Sequence, residues 1–112
     1  MINIKIQRQK DKIIYFEIEG HADFSEYGED VICAAVSSAG QITVNGLIET
    51  LELKKKLKFT EEDGYIVCDL KNSGLTDEEL EKADILVESM YSYLKDVAKS
   101  YNNFVKFKEI KK

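Results

Sequence analysis

The chain has no proline and only six glycines in 112 residues, so nothing in it reads as a linker or a low-complexity spacer. It has one histidine, His21, and two cysteines, Cys33 and Cys68. Without a Cys-x-x-Cys pair or a second histidine, the usual ligand set of a zinc site is missing; a metal site from His21, Cys33, Asp23 or Asp30 is a weak reading. Neither Walker nor dinucleotide glycine spacing occurs, and no cofactor is expected. There is no internal repeat. The opening stretch, MINIKIQRQK, alternates like a strand and lacks the apolar core of a signal peptide. The longest uncharged run, Val31 to Ile48, carries Ser37, Ser38, Gln41, Thr43 and Asn45, and reads as too polar for a membrane span. Together these absences point to a cytoplasmic protein whose cysteines are reduced thiols rather than a Cys33–Cys68 disulfide.

What is present describes one folded domain over residues 1–112. Apolar residues make up 44% and charged residues 33%, the balance of a globular chain. The net charge is −5, from 16 basic and 21 acidic residues. Nucleic acid would be repelled by most of such a surface, so no direct nucleic-acid partner is expected. The basic runs Lys54–Lys56 and Lys106–Lys112 read as a strand margin and a chain end. A basic protein partner is favoured by the same charge.

Periodicity supplies the elements. Ile2, Ile4 and Ile6 alternate with polar residues as in a half-buried strand. After a turn at Asp11-Lys12, a second strand places Ile14, Phe16 and Ile18 on one face. Ile13 and Tyr15 make its other face partly apolar, which suits a central strand. A helix is expected from Asp30 to about Leu51, with Asp30 as N-cap and Val31, Ala34, Ala35, Ile42, Leu47, Ile48 and Leu51 as its core stripe. Leu57 and Phe59 mark a third strand, Asp63-Gly64 a hairpin turn, and Tyr65–Leu70 a fourth strand. Thr76 and Glu79 form a capping box for a second helix, whose apolar positions run from Leu80 to Tyr101. Phe104 to Ile110 gives a last strand. The order is ββαββαβ: an α+β fold, a mostly antiparallel sheet with two helices.

The candidate chemistry lies between Gly20 and Ser38, reading GHADFSEYGEDVICAAVSS. His21 ends the second strand, and Cys33 falls at the start of the first helix. A helix N-terminus and a neighbouring imidazole both favour a thiolate, the reactive form of cysteine. By residue type alone, a cysteine on an apolar helix is more often a small buried hydrophobe, and a lone histidine more often a surface residue than a base. Sequence separation does not show that the two touch. Cys68, on a strand with no histidine nearby, reads as core filler. Ser37 lies four residues after Cys33 and shares its helix face; its hydroxyl either orients the Cys33–His21 pair or, the favoured expectation, bonds back to the Cys33 carbonyl.

The string Gly20-His21-Ala22-Asp23, then Glu26-Tyr27-Gly28, then Asp30 and Val31-Ile32-Cys33-Ala34-Ala35-Val36-Ser37, resembles the ribosomal-processing cysteine protease (Prp) family. The family pattern is a Gly-His-Ala strand end, a glycine-bearing mobile loop and Asp-x-x-Cys-Ala opening a helix. The order of elements extends the resemblance over the whole chain. It implies a cysteine endopeptidase that removes a short N-terminal extension from ribosomal large-subunit protein twenty-seven, with bulky aromatic residues just before the cut. It also implies a homodimer. His21 and Cys33 are then the catalytic pair. Phe24, Tyr27 and Gly28 on the loop, with Asp30 and Ser37, are candidate substrate contacts, and the loop a candidate lid. The reading from another class is a non-catalytic ribosome-associated binding module. Such a module has no reason to hold Cys33 as thiolate at neutral pH.

Overall fold

A computed structural model describes residues 1–20 and 29–111. His21, Phe24, Tyr27 and Gly28 lie outside the described residues.

Isoleucine at every second position makes β1 (Ile2–Gln9) a strand with one buried face, and β2 (Lys12–Glu19) pairs back on it. The turn sits at Lys10-Asp11, one residue earlier than expected, and both residues take positive φ, the signature of a tight hairpin turn. A bulge follows: Gln7 faces Tyr15, but Arg8 faces Ile13, so Ile14 is the extra residue. It re-aims Ile13 onto the core face, where the alternation had placed it on the opposite side. The Ile13 N–H donates to Asp84 Oδ1 at 3.3 Å.

The chain then runs through α1 (Glu29–Asn45), a π-helical turn (Gly46–Thr50), β3 (Lys58–Glu62), β4 (Tyr65–Asp69), α2 (Asp77–Ser100) and β5 (Val105–Lys111). The strands form one sheet in the order β3-β4-β2-β1-β5, antiparallel except for β1 with β5. This is the expected α+β architecture, with β2 in the middle of the sheet. The expected capping box of α2 is also there: Glu79 N–H donates to the Thr76 hydroxyl, and Thr76 N–H to the Glu79 carboxylate. Tyr101 falls past the end of α2 and is exposed rather than part of its stripe.

The core stripe of α1 differs from the one expected. Ile32, Val36, Val44 and Leu47 are buried, while Val31, Ala34 and Ile42 face outward. Uniform apolar character hid the true face, because α1 carries no charge between Val31 and Ile48 to mark the solvent side. By length and composition the run Asp30–Thr50 is apolar enough to cross a membrane, against the expectation from its polar residues. In this fold its inner stripe is packed on the sheet. What seats α1 there is Gly40, where an added Cβ would come within 2.8 Å of Ile18 Cδ1 and 2.9 Å of Ile66 Cδ1.

Gly40→Val should therefore lower the unfolding free energy by about 1–3 kcal/mol, as overpacking does. Urea denaturation measures it; an unchanged midpoint would mean that α1 does not sit this close to β2 and β4.

Candidate active site

Cys33 is half-buried and follows the first turn of α1. The helix begins at Glu29, so Asp30 lies inside the first turn and is not the N-cap that its residue type suggested. Its charge still favours that position, since carboxylates offset the positive end of a helix dipole. In helical geometry the N–H groups of the first turn have no partner within the helix, which leaves donors beside the cysteine.

The Cys33 thiol donates to the Gly20 carbonyl, with Sγ 3.6 Å from the oxygen. Gly20 closes β2, and its own N–H donates to the Gly64 carbonyl in the β3–β4 turn at 3.0 Å. Three segments thus meet at one residue: the end of β2, the start of α1 and the β3–β4 turn. Gly20 has φ +148°, and a Cβ there would lie 2.7 Å from the Met1 carbonyl oxygen and 2.9 Å from Ile2 Cα. Those are backbone atoms and cannot swing away, so this position requires glycine. Its role is positional, and residue type alone gave no signal beyond its place in the Gly-His-Ala string.

Of the expected site residues, the described structure places Cys33, Asp30 and Ser37 on one helix, in its first three turns. It leaves the Cys33–His21 pairing untested, since His21 is outside the described residues, as are Phe24, Tyr27 and Gly28. Ser37 departs from expectation. Its hydroxyl makes no hydrogen bond among the described residues; Thr43 is the α1 side chain that bonds back, to the Ala39 carbonyl at 2.8 Å. Ser37 instead lines a cleft of about 280 Å³ with Gln41, Ile18, Ile66 and the β3–β4 hairpin. A larger hollow of about 660 Å³ lies on the other flank of α1, against α2, and does not include Cys33.

Cys68 is fully buried on β4. Burial, and then the charge of Asp69, pushes its thiol up to about 12, so it is neutral at ordinary pH and unfit as a nucleophile. Among the described residues there is no cluster of ligands able to hold a metal ion.

The comparisons with known proteins fit this arrangement. A family model described as Cysteine protease Prp matches residues 1–106. The chain belongs to the Prp cysteine protease family. A Bacillus subtilis relative named Ribosomal processing cysteine protease Prp is 35% identical over 104 residues, covering 92% of each chain. The crystal structure of a Streptococcus mutans protein superposes with a TM-score of 0.78 at 33% identity, covering 100% of this chain and 96% of that one. At 23% identity, and so as evidence of fold alone, a Staphylococcus aureus Prp protease in complex with a substrate peptide superposes with a TM-score of 0.77, covering 97% of this chain and 99% of that one.

Two outcomes are expected. Iodoacetamide at pH 8 should label Cys33 in the native protein and spare Cys68 until denaturant is added; equal native labelling of both would contradict the burial of β4. A raised thiol pKa stabilises the fold in full below the ordinary value of 9.0, and that contribution is lost as pH rises towards about 12. Cys68→Ala should therefore show a shallower loss of stability across that window than the parent, measured by denaturation at stepped pH.

Proposed function

We propose that this chain is a cysteine endopeptidase that removes a short N-terminal extension from ribosomal large-subunit protein twenty-seven. The observation that carries the reading is the placement of Cys33. It is a half-buried thiol beside the unpaired donors of a helix start, tied to the strand end that leads directly into residue 21. The Prp family model over nearly the whole chain supports the protease, and the Bacillus subtilis relative's name, Ribosomal processing cysteine protease Prp, supports a ribosomal substrate.

In this reading His21 takes the Cys33 proton, and Sγ attacks the scissile carbonyl carbon to form a tetrahedral intermediate. First-turn N–H groups of α1 hold the oxyanion. His21 then gives the proton to the leaving amine as the C–N bond breaks, leaving a thioester. Water, deprotonated by His21, attacks that thioester and releases the extension and the free thiol. Phe24, Tyr27 and Gly28 act in the loop as substrate contacts. The enzyme works in the cytoplasm.

It works there as a homodimer. The hollow between α1 and α2 supports this part of the reading: Ile42 is 72% exposed and Tyr93 48% exposed along its walls, beside small residues Ala35, Ser38 and Ala39. Large side chains and small-lined space on one surface are what a two-fold self-contact needs.

Intact mass spectrometry of the unprocessed ribosomal protein, after incubation with this protein, tests the reaction. Loss of a short N-terminal peptide is expected, with the Cys33→Ala and His21→Ala variants reduced at least a hundredfold. No mass loss from an accessible, extended substrate, while the two proteins still associate, would replace the protease by a binding module. Light scattering should give twice the chain mass, and Ile42→Glu should halve it; a monomeric parent would remove the dimer.

A further inference from the structure

The core face of the sheet is built in rows, and one row ends differently from its composition. Following the register across the strands, Phe107 faces Ile4, Ile4 faces Ile18, Ile18 faces Ile66, and Ile66 faces Glu61. Apolar residues fill this row until β3, where alternation puts a carboxylate on the side that α1 covers. The neighbouring row, Ile6, Phe16, Cys68 and Phe59, keeps its apolar character to the same edge. That second row has its acid at the opposite edge: Glu109, beside Ile6. There the charge is matched, because Glu109 accepts from Arg8 Nε at 2.9 Å and from the Tyr91 hydroxyl at 2.6 Å. Among the described residues the Glu61 carboxylate has no such partner.

Glu61 opens into the cleft that Ser37 and Gln41 line from α1. That cleft is joined to the cysteine in two ways. Ser37 is one helical turn beyond Cys33, about 6 Å along the axis. The hairpin that carries Glu61 turns at Gly64, whose carbonyl holds the same Gly20 that receives the Cys33 thiol. Glu62 and Asp63 line the cleft as well, so its surroundings are negative. The cleft, of about 280 Å³, takes one long side chain and offers a hydroxyl, an amide and the carboxylates of Glu61, Glu62 and Asp63, of which Glu61 is the one that strand alternation puts on the α1 side.

We infer that this cleft is a subsite for a lysine or arginine side chain of the substrate, and that Glu61 is the residue that selects it. The inference rests on the protease reading and extends it to specificity. At roughly 3.3 Å per residue of extended peptide, the side chain read here lies about two positions from the cut bond. Glu61 is on the exposed rim of an edge strand, so changing it leaves the core rows intact.

The test uses synthetic peptides spanning the cleaved junction, with lysine, norleucine or glutamate placed singly at each position flanking the bond. Norleucine keeps the stem of lysine and removes its charge. At one position the parent should prefer lysine over norleucine by about three- to fivefold in kcat/KM, the size of an exposed ion pair. Glu61→Gln should remove that preference while cleaving the norleucine peptide as the parent does, and Glu61→Lys should favour the glutamate peptide. The same peptides are titrated into Cys33→Ala protein with and without Glu61→Gln, so that binding is read without turnover. A lysine-to-norleucine ratio that Glu61→Gln leaves unchanged, in both cleavage and binding, overturns the inference. A charge preference in binding that depends on Glu61, with no cleavage by the parent, overturns the protease reading and leaves the subsite standing.

Discussion

Everything near the cysteine depends on one residue that has no side chain. Gly20 donates to the β3–β4 turn, accepts from Cys33, and lies so close to the Met1 carbonyl and Ile2 Cα that a methyl group does not fit. Each contact alone is worth little; a net hydrogen bond contributes on the order of 1 kcal/mol. Their value is geometric. A strand end, a helix start and a hairpin tip are fixed against one another at a single point, so the thiol is placed by backbone rather than by mobile side chains.

Much of this was legible in the sequence. Alternating isoleucines in β1 and the Thr76–Glu79 capping box are local signals, and local signals survive folding. The order ββαββαβ followed from them. The face of α1 was not legible, because a helix without charge from Val31 to Ile48 offers no polar side to subtract. What decides its orientation is Gly40 meeting Ile18 and Ile66, a contact between segments far apart in the chain. The bulge at Ile14 was invisible for a similar reason: it exists only as a mismatch between two strands, one settled by a side chain of α2. At the site, Cys33 could be singled out by type and position, whereas the Gly20–Gly64 link needs the hairpin to be docked. Ser37 stands on the helix face that its spacing from Cys33 predicts, but the cleft it lines is completed by β2, β3 and β4, which only the folded sheet brings beside it.

The two edges of the sheet handle charge in opposite ways. At β5, Arg8 donates to both Glu88 and Glu109 and stacks its guanidinium 4.5 Å from the centroid of the Tyr91 ring. That network ties β1 and β5 to α2. At β3 the acids of the hairpin stay open to solvent beside the cysteine's helix. Structure-building charge and free charge are thus kept at opposite ends of one sheet.

The parallel pairing of β1 with β5 joins Ile2 to Val105 and Arg8 to Lys111. It sets the order in which the molecule can be completed during synthesis. β1 can pair with β2 as soon as the hairpin has been made, but its other edge waits for almost the entire chain. Until β5 arrives, a growing polypeptide carries a bare strand edge next to the central hairpin, a template for pairing with other chains. Pairings this distant in sequence also slow folding, since loop closure must be met before the contact forms. The last strand therefore acts as the seal on the nascent molecule.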